Sequence, residues 1–273
     1  MKLRKRMLPA GWYPASKEEI LSQFGSWKYE YKVDNNRIAA VIPHAGWYFS
    51  GKLAYAGIKS LEKERDTVVV IGGHLPSGTA AIGYSEGTVE TPLGEMKIDS
   101  ELFRELSKHI PIKEDTAADN TIEIQLPIVK YFFPDAKLGA FRLPPNELSE
   151  QFAKLLTDAE QSLGKKICVI GSTDLTHYGP SYQFTPKGTG KQAQQWVEEV
   201  NDRQIVDAMI NVNPSDIISL GRQNHAACSS GAAAAAAEFA KLPGIEGGKL
   251  VDYYTSASIH PGSSFVGYAG VVY

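Results

Sequence analysis

The feature that most constrains this chain is a set of short, unbroken apolar runs, each stopped by proline or glycine. Residues 37–42 end at Pro43, residues 67–71 at Gly72-Gly73, residues 137–143 at Pro144-Pro145, and residues 166–170 at Gly171. A strand with one wet face alternates apolar and polar positions. A run that is apolar almost throughout must be covered on both faces, as in a parallel sheet held between helices. Helical periodicity fills the intervals, over residues 16–24, 51–61, 100–109, 123–132 and 147–163, and later over 192–209, 214–220 and 231–242. The alternation predicts an α/β fold: three layers, α/β/α, with a largely parallel central sheet. Residues 250–254 and 264–272 read as added strands open to antiparallel pairing, and residues 79–98 as a small side hairpin. No composition shift, linker or repeat interrupts the 273 residues, so one domain over 1–273 is expected.

Charge and cysteine content narrow the function classes. The formal net charge is −3, which lacks the basic surplus that nucleic acid or an anionic membrane surface selects. No segment approaches the ~18 uninterrupted apolar residues of a membrane span. The basic start has no apolar region behind it, which disfavours a cleaved secretion signal. Two cysteines exclude a disulfide framework and suit a reducing compartment, so a cytoplasmic location is expected. The alanine tract 232–237 reads as a buried helix that lets neighbouring backbones approach closely.

In open α/β sheets, ligands gather beyond the carboxyl ends of the strands. Three of the six histidines fall there: His44 after the first run, His74 after the second, and His177 shortly after the run ending at Gly171. Neutral imidazole is the commonest metal ligand near neutral pH, and ligands from separate strand ends can converge on one ion. A single strand-end histidine is more often structural; three in equivalent places point to a site. Asp174 shares a loop with His177. It either orients an imidazole beside His177 acting as general acid/base, or simply belongs to a helix cap. Cys228 precedes the alanine helix, where the macrodipole favours a thiolate, as ligand or reactive thiol; the bland alternative is a small apolar filler. His225, three residues earlier, is a candidate supporting partner. Cys168, inside a strand run, reads as core. His109 reads as a helix-end residue and His260 as a solvated loop residue. Glu123 sits in a polar cluster with Asp119, Asn120 and Gln125 that either caps a helix or carries a buried functional carboxylate. Trp12, Tyr13 and Trp47 are candidate pocket walls for a planar ligand, or simply core cover. The sequence has no phosphate-binding glycine loop, nucleophile elbow, HExxH or CxxC. Nucleotide-dependent transfer, serine hydrolysis and structural zinc are therefore unsupported.

The motifs together resemble the Memo family, also called the AmmeMemoRadiSam system protein B group, which is similar in fold to class III extradiol ring-cleaving dioxygenases of the LigB type. The resemblance spans nearly the whole chain. It rests on residues 10–14, Pro43-His44-Ala45-Gly46 with Ser50-Gly51, Gly72-Gly73-His74, residues 121–127, residues 172–179, Cys228, and Gly267-Tyr268-Ala269-Gly270. The resemblance implies a metal pocket of His44, His74 and Cys228 for Fe(II) or Cu, with Zn as an adventitious occupant. In the ring-cleaving relatives two His and a Glu hold the iron and a further His moves protons; His177 matches that last position. It also implies a functional link to AMMECR1-like and radical SAM proteins. The chain departs from the family pattern at Asn120, where His is common, and at the short loop 72–74. Two readings result. One is a copper- or iron-dependent oxidoreductase. The other is a non-enzymatic binding or adaptor protein that holds a peptide or small-molecule ligand in the same pocket.

Overall fold

The computed structural model describes residues 2–273. In chain order the elements are β1 (Leu3–Arg4), α1 (Lys17–Trp27), β2 (Ala39–Ile42), α2 (Trp47–Ser60), β3 (Thr67–Gly72), β4 (Ala81–Gly83), β5 (Thr88–Val89) and β6 (Met96–Lys97). Then come α3 (Ser100–Ser107), β7 (Ile112–Glu114), α4 (Asn120–Glu123), α5 (Leu126–Phe132), β8 (Lys137–Arg142), α6 (Leu148–Leu163) and β9 (Ile167–Ser172). The last third holds β10 (His177–Tyr178), α7 (Lys191–Trp196), α8 (Asp202–Ile210), α9 (Pro214–Gln223), α10 (Ser230–Lys241), β11 (Lys249–Thr255) and β12 (Phe265–Val272).

The expected α/β fold is present. Strands β2, β9, β3 and β8 are parallel neighbours at the centre of a nine-stranded mixed sheet. β12 runs antiparallel to β2, and β11 antiparallel to β12. The four central strands are buried at nearly every residue because successive side chains face opposite helical layers. Val41, Val69, Ile71, Phe141 and Val169 pack with Phe152 of α6, Ile205 of α8, Ile217 of α9 and the alanines of α10. Ala40, Ile42, Val68, Val70 and Ile170 pack with Ile20 and Phe24 of α1, Ile58 of α2 and Ile128 of α5. This period-two division explains why the strand runs show no polar alternation.

The alanine tract has a steric reason. A Cβ at Gly171 of β9 would lie 2.5 Å from the Ala232 carbonyl oxygen and 2.9 Å from the Ala236 Cβ. Helix and strand meet almost backbone to backbone, and larger side chains on either would separate them.

Parts of the expected layout differ. The 79–98 segment does not fold as one hairpin. β4 joins the main sheet beside β8, while β5 pairs with β6 on one side and β1 on the other in a second, three-stranded sheet. The stretch 192–209 is not one regular helix: a π-helical turn at Val197–Asn201 separates α7 from α8. The stretch 123–132 divides into α4 and α5 around Ile124 and Gln125. α2 begins at Trp47, four residues before the apolar periodicity at 51 becomes readable. Among the described residues no helix is long and apolar enough to cross a membrane.

Candidate metal centre

The register of the sheet brings the site together. Ile42 pairs with Ser172, Ile71 with Gly171, and Gly72 with Arg142, so the carboxyl ends of four strands finish level. His44 and His74 each stand two residues beyond such an end. Their rings meet edge to face with centroids 5.0 Å apart. Cys228 arrives from the turn before α10. Its Sγ is 3.2 Å from His44 Nε2, and one ligand atom from each of His44, His74 and Cys228 lies within 4.8 Å of the others. A close approach fixes this meeting: a Cβ on Gly73 would fall 2.8 Å from the Ser229 Cα. The absence of a side chain at Gly73 thus lets the His74 loop rest on the Cys228 turn. His74 itself has a φ of 57°, in the left-handed region that non-glycine residues rarely occupy and that clusters at functional sites.

Each imidazole is held by its other nitrogen. His44 Nδ1 is 3.3 Å from Ser172 Oγ. The His44 backbone N–H donates to Asp174 Oδ1 at 2.7 Å, and its carbonyl accepts from Asn120 Nδ2 at 3.0 Å. Gln125 Nε2 donates to the Pro43 carbonyl at 2.8 Å and to Ser172 Oγ at 3.1 Å. His74 Nδ1 is 3.1 Å from Asp119 Oδ2. That carboxylate also accepts from Arg142 Nη1 at 3.0 Å, while Arg142 Nε donates to Asp115 Oδ2 at 2.8 Å. Burial alone would lower the His74 pKa, but the hydrogen bond to Asp119 and the neighbouring Cys228 outweigh it and raise it to about 9. Burial pulls Asp119 upward, yet His74, Thr121 and Arg142 hold its carboxyl well below the usual range.

Asp174 and His177 stand beside the pair of imidazoles. Asp174 Oδ2 is 3.9 Å from His44 Nε2, so it faces the imidazole rather than capping a helix; the residues that follow form a short strand. His177 Nδ1 is 3.1 Å from the Leu175 carbonyl. A carbonyl only accepts, so the proton sits on Nδ1 and Nε2 carries the lone pair. Burial, which outweighs the attraction of Asp174, lowers the His177 pKa and keeps the ring neutral near pH 7. His44, His74, Asp174 and His177 line one cleft of about 730 Å³ with Trp12, Tyr48, Phe49, Asn120, Tyr182 and Tyr268 among its walls.

The other expected contacts sit elsewhere. Trp12 lines the cleft, but Tyr13, Trp47 and Glu123 are not among its lining residues. The Trp47 indole is buried and donates to the Ile124 carbonyl at 3.1 Å. Glu123 accepts from the backbone N–H of Met7 and Leu8 at 2.8 and 3.0 Å and from the Tyr13 hydroxyl at 2.9 Å. Its carboxylate therefore anchors the segment that carries Trp12, and acts on the cleft only through it. His225 is exposed and lies against Phe184, with ring centroids 5.1 Å apart. It shares a neighbouring depression with Cys228 and His177 instead of supporting the imidazoles. His260 is exposed, as read from the sequence, and also lines the cleft. Sequence reasoning missed Arg142 and the roles of Ser172 and Asp119. A readable signal existed for one of them: an arginine inside an otherwise apolar strand run must be paired when buried.

A family model described as Memo-like protein matches residues 4–272. The chain belongs to the Memo family. Among its Memo relatives, a MEMO1 family protein of Archaeoglobus fulgidus is 29% identical over 99% of both chains. One from Pyrococcus abyssi is 32% identical over 86% of both. Among solved structures, the uncharacterized protein JW3007 from Escherichia coli K12 superposes with a TM-score of 0.52 at 12% identity, covering 85% of this Memo chain and 99% of its own. That likeness concerns the fold alone.

Proposed function

We propose that this protein binds one iron(II) or copper ion through His44, His74 and Cys228 and uses it in an oxidoreductase reaction on a small organic substrate held in the adjoining cleft. The observation that carries the reading is the convergence of three donors from distant parts of the chain, with the second nitrogen of each imidazole already engaged. The donor set fits a metal. At ~2.0–2.1 Å to nitrogen and ~2.3 Å to sulfur, two ligands of a tetrahedral ion stand about 3.5 Å apart, close to the 3.2 Å between His44 Nε2 and Cys228 Sγ. Two imidazoles and a thiolate select a transition metal over magnesium or calcium, with zinc an adventitious competitor. When bound, the ion supplies Lewis acidity and electron exchange at its open position.

The chain's own residues do the remaining work. Ser172 and Asp119 accept the Nδ1 protons and so present both Nε2 atoms to the ion. Asp174 fixes the His44 backbone. His177, neutral with its lone pair on Nε2, takes a proton from a substrate hydroxyl and returns it. Trp12, Tyr48 and Phe49 supply apolar surface for the substrate body. Elemental analysis of the purified protein beside a His44→Ala/Cys228→Ala double variant tests this; equal metal content in both ends the reading.

One observation favours a second reading. The Asn120 amide is committed to the His44 carbonyl, so the position that commonly carries His in the family adds no proton carrier here. The cleft would then hold a peptide or small ligand without turnover. Oxygen uptake with Fe(II) and a catechol panel decides between them: a ring-cleaved product defeats the binding-only reading.

A further inference from the structure

The π-helical turn at Val197–Asn201 packs against the loop that carries His177. At its end the Asp202 N–H donates to the Val197 carbonyl, five residues back instead of the four of an α-helix. The extra residue in the turn narrows the angle between consecutive side chains, and Asn201 and Asp202 both reach Thr176. Asp202 Oδ1 accepts from the Thr176 backbone N–H at 3.1 Å and from its hydroxyl. Asn201 Nδ2 donates to the Thr176 hydroxyl oxygen at 2.8 Å. All three residues are buried.

A carboxamide nitrogen has two protons, and Asn201 commits the second to the Asn224 carbonyl at 3.0 Å. Asn224 closes α9 and opens the turn that leads to Cys228. One side chain therefore joins the segment that ends in His177 to the segment that ends in Cys228. The two segments already touch at an isolated bridge between Leu175 and Ala227, and the Cys228 N–H donates to the Asp174 carbonyl at 3.2 Å. Asn201 adds an attachment beyond that bridge, where one segment runs on into β10 and the other arrives from α9. Between Asn224 and Ala226 stands His225 with a φ of 51°, a conformation that persists only where the surroundings hold it. His177, His225 and Cys228 line one depression on this side of the molecule.

We propose that Asn201 is a positioning residue whose amide holds the His177 loop and the Cys228 turn at a fixed separation, so that the proton carrier and the sulfur face one bound substrate. The role rests on His177 as proton carrier and Cys228 as metal ligand. A side chain of the same size without donors would leave the Thr176 hydroxyl and the Asn224 carbonyl without this link, and the two segments would be tied only at the bridge.

The test is amide hydrogen exchange by mass spectrometry on the full metal-free chain, wild type beside Asn201→Leu, which keeps the size and removes both donors. Peptides over 174–178 and 225–229 should exchange together about tenfold faster in the variant, the factor that 1.4 kcal/mol of lost hydrogen bonding gives, while β3 exchanges as before. Nitrogen-resolved NMR supplies a readout that a merely stabilising residue would not move. The His177 ring should carry its proton on Nδ1 in the wild type and populate both ring forms in the variant. In the wild type itself, both Asn201 Nδ2 protons should exchange slowly. In a folded variant, unchanged exchange in either segment, an equal rise in β3, or an unchanged His177 pattern overturns the proposal. Fast-exchanging Asn201 protons in the wild type overturn it however the variant folds. Metal content is measured separately, and its absence from the wild type ends the metal reading without altering these results.

Discussion

His44 and His74 occupy equivalent places past two strands of one sheet, yet their surroundings are opposites. His44 is buried, and neutral groups together with one backbone-bound carboxylate hold its segment: Ser172, Gln125, Asn120 and Asp174. His74 is partly open to solvent, strained in φ, and suspended from a chain of charges through Asp119 to Arg142 and Asp115. One arm of the site is built by packing and the other by paired charge. A packed arm resists perturbation until a core atom is removed. A charge-held arm fails when one member of the chain is lost, because its partners stay buried and unpaired.

The largest effect should come from the charge-held arm. Arg142→Met strands Asp115 and Asp119 and should destabilise the protein by about 3–5 kcal/mol in urea unfolding. A loss under 1 kcal/mol would show that the network is not what holds this loop. Next, Asp119→Asn keeps the shape and removes the carboxylate, so metal affinity should fall roughly 10–100-fold by competition titration with a chelator while the fold persists.

The packed arm has one ionisable weakness. Asp202 lies behind the loop carrying Asp174 and His177, accepts from the backbone and hydroxyl of Thr176, and takes the Tyr253 hydroxyl at 2.9 Å. Burial raises its pKa to about 7, above the ~3.9 of an unfolded chain. The folded state therefore binds the extra proton between those values. Stability contributed by this group is full below about pH 4, declines as pH rises, and is gone above about pH 7. Asp202→Asn should abolish that slope: between pH 5 and pH 8 the wild type loses denaturant resistance that the variant keeps. Parallel midpoints for the two would remove Asp202 from the account. The smallest effect is expected for Ser172→Ala, about 1 kcal/mol in stability, with a weaker loss of metal than Asp119→Asn. A loss as large as that of Asp119→Asn would erase the contrast between the arms.

Much of the fold was legible because burial on both faces of a strand leaves a direct mark, an apolar run closed by glycine or proline. The central strands β2, β3, β8 and β9 fall where those runs are, and the alanine helix where its tract is. The π-helical turn at Val197–Asn201 was illegible because a one-residue change in helical pitch barely disturbs the apolar period. β4 was misjudged because nothing in three residues tells which sheet will accept their hydrogen bonds.

The site divides the same way. His44, His74, His177 and Cys228 were readable as chemical types at element ends. The surroundings of Glu123 and Trp47 were not, since a carboxylate beside a loop and an indole beside a cleft look alike in one dimension whether they face inward or away. Sequence alone determined which residue types, two imidazoles and a thiol, stand at which element ends, because residue type and strand limits are local properties. Tertiary structure alone decided that Arg142 and Asp119 support His74 and that Glu123 fastens the amino-terminal segment. Those relations join residues tens of positions apart, and only the packing of the whole sheet and its helices sets the distances between them.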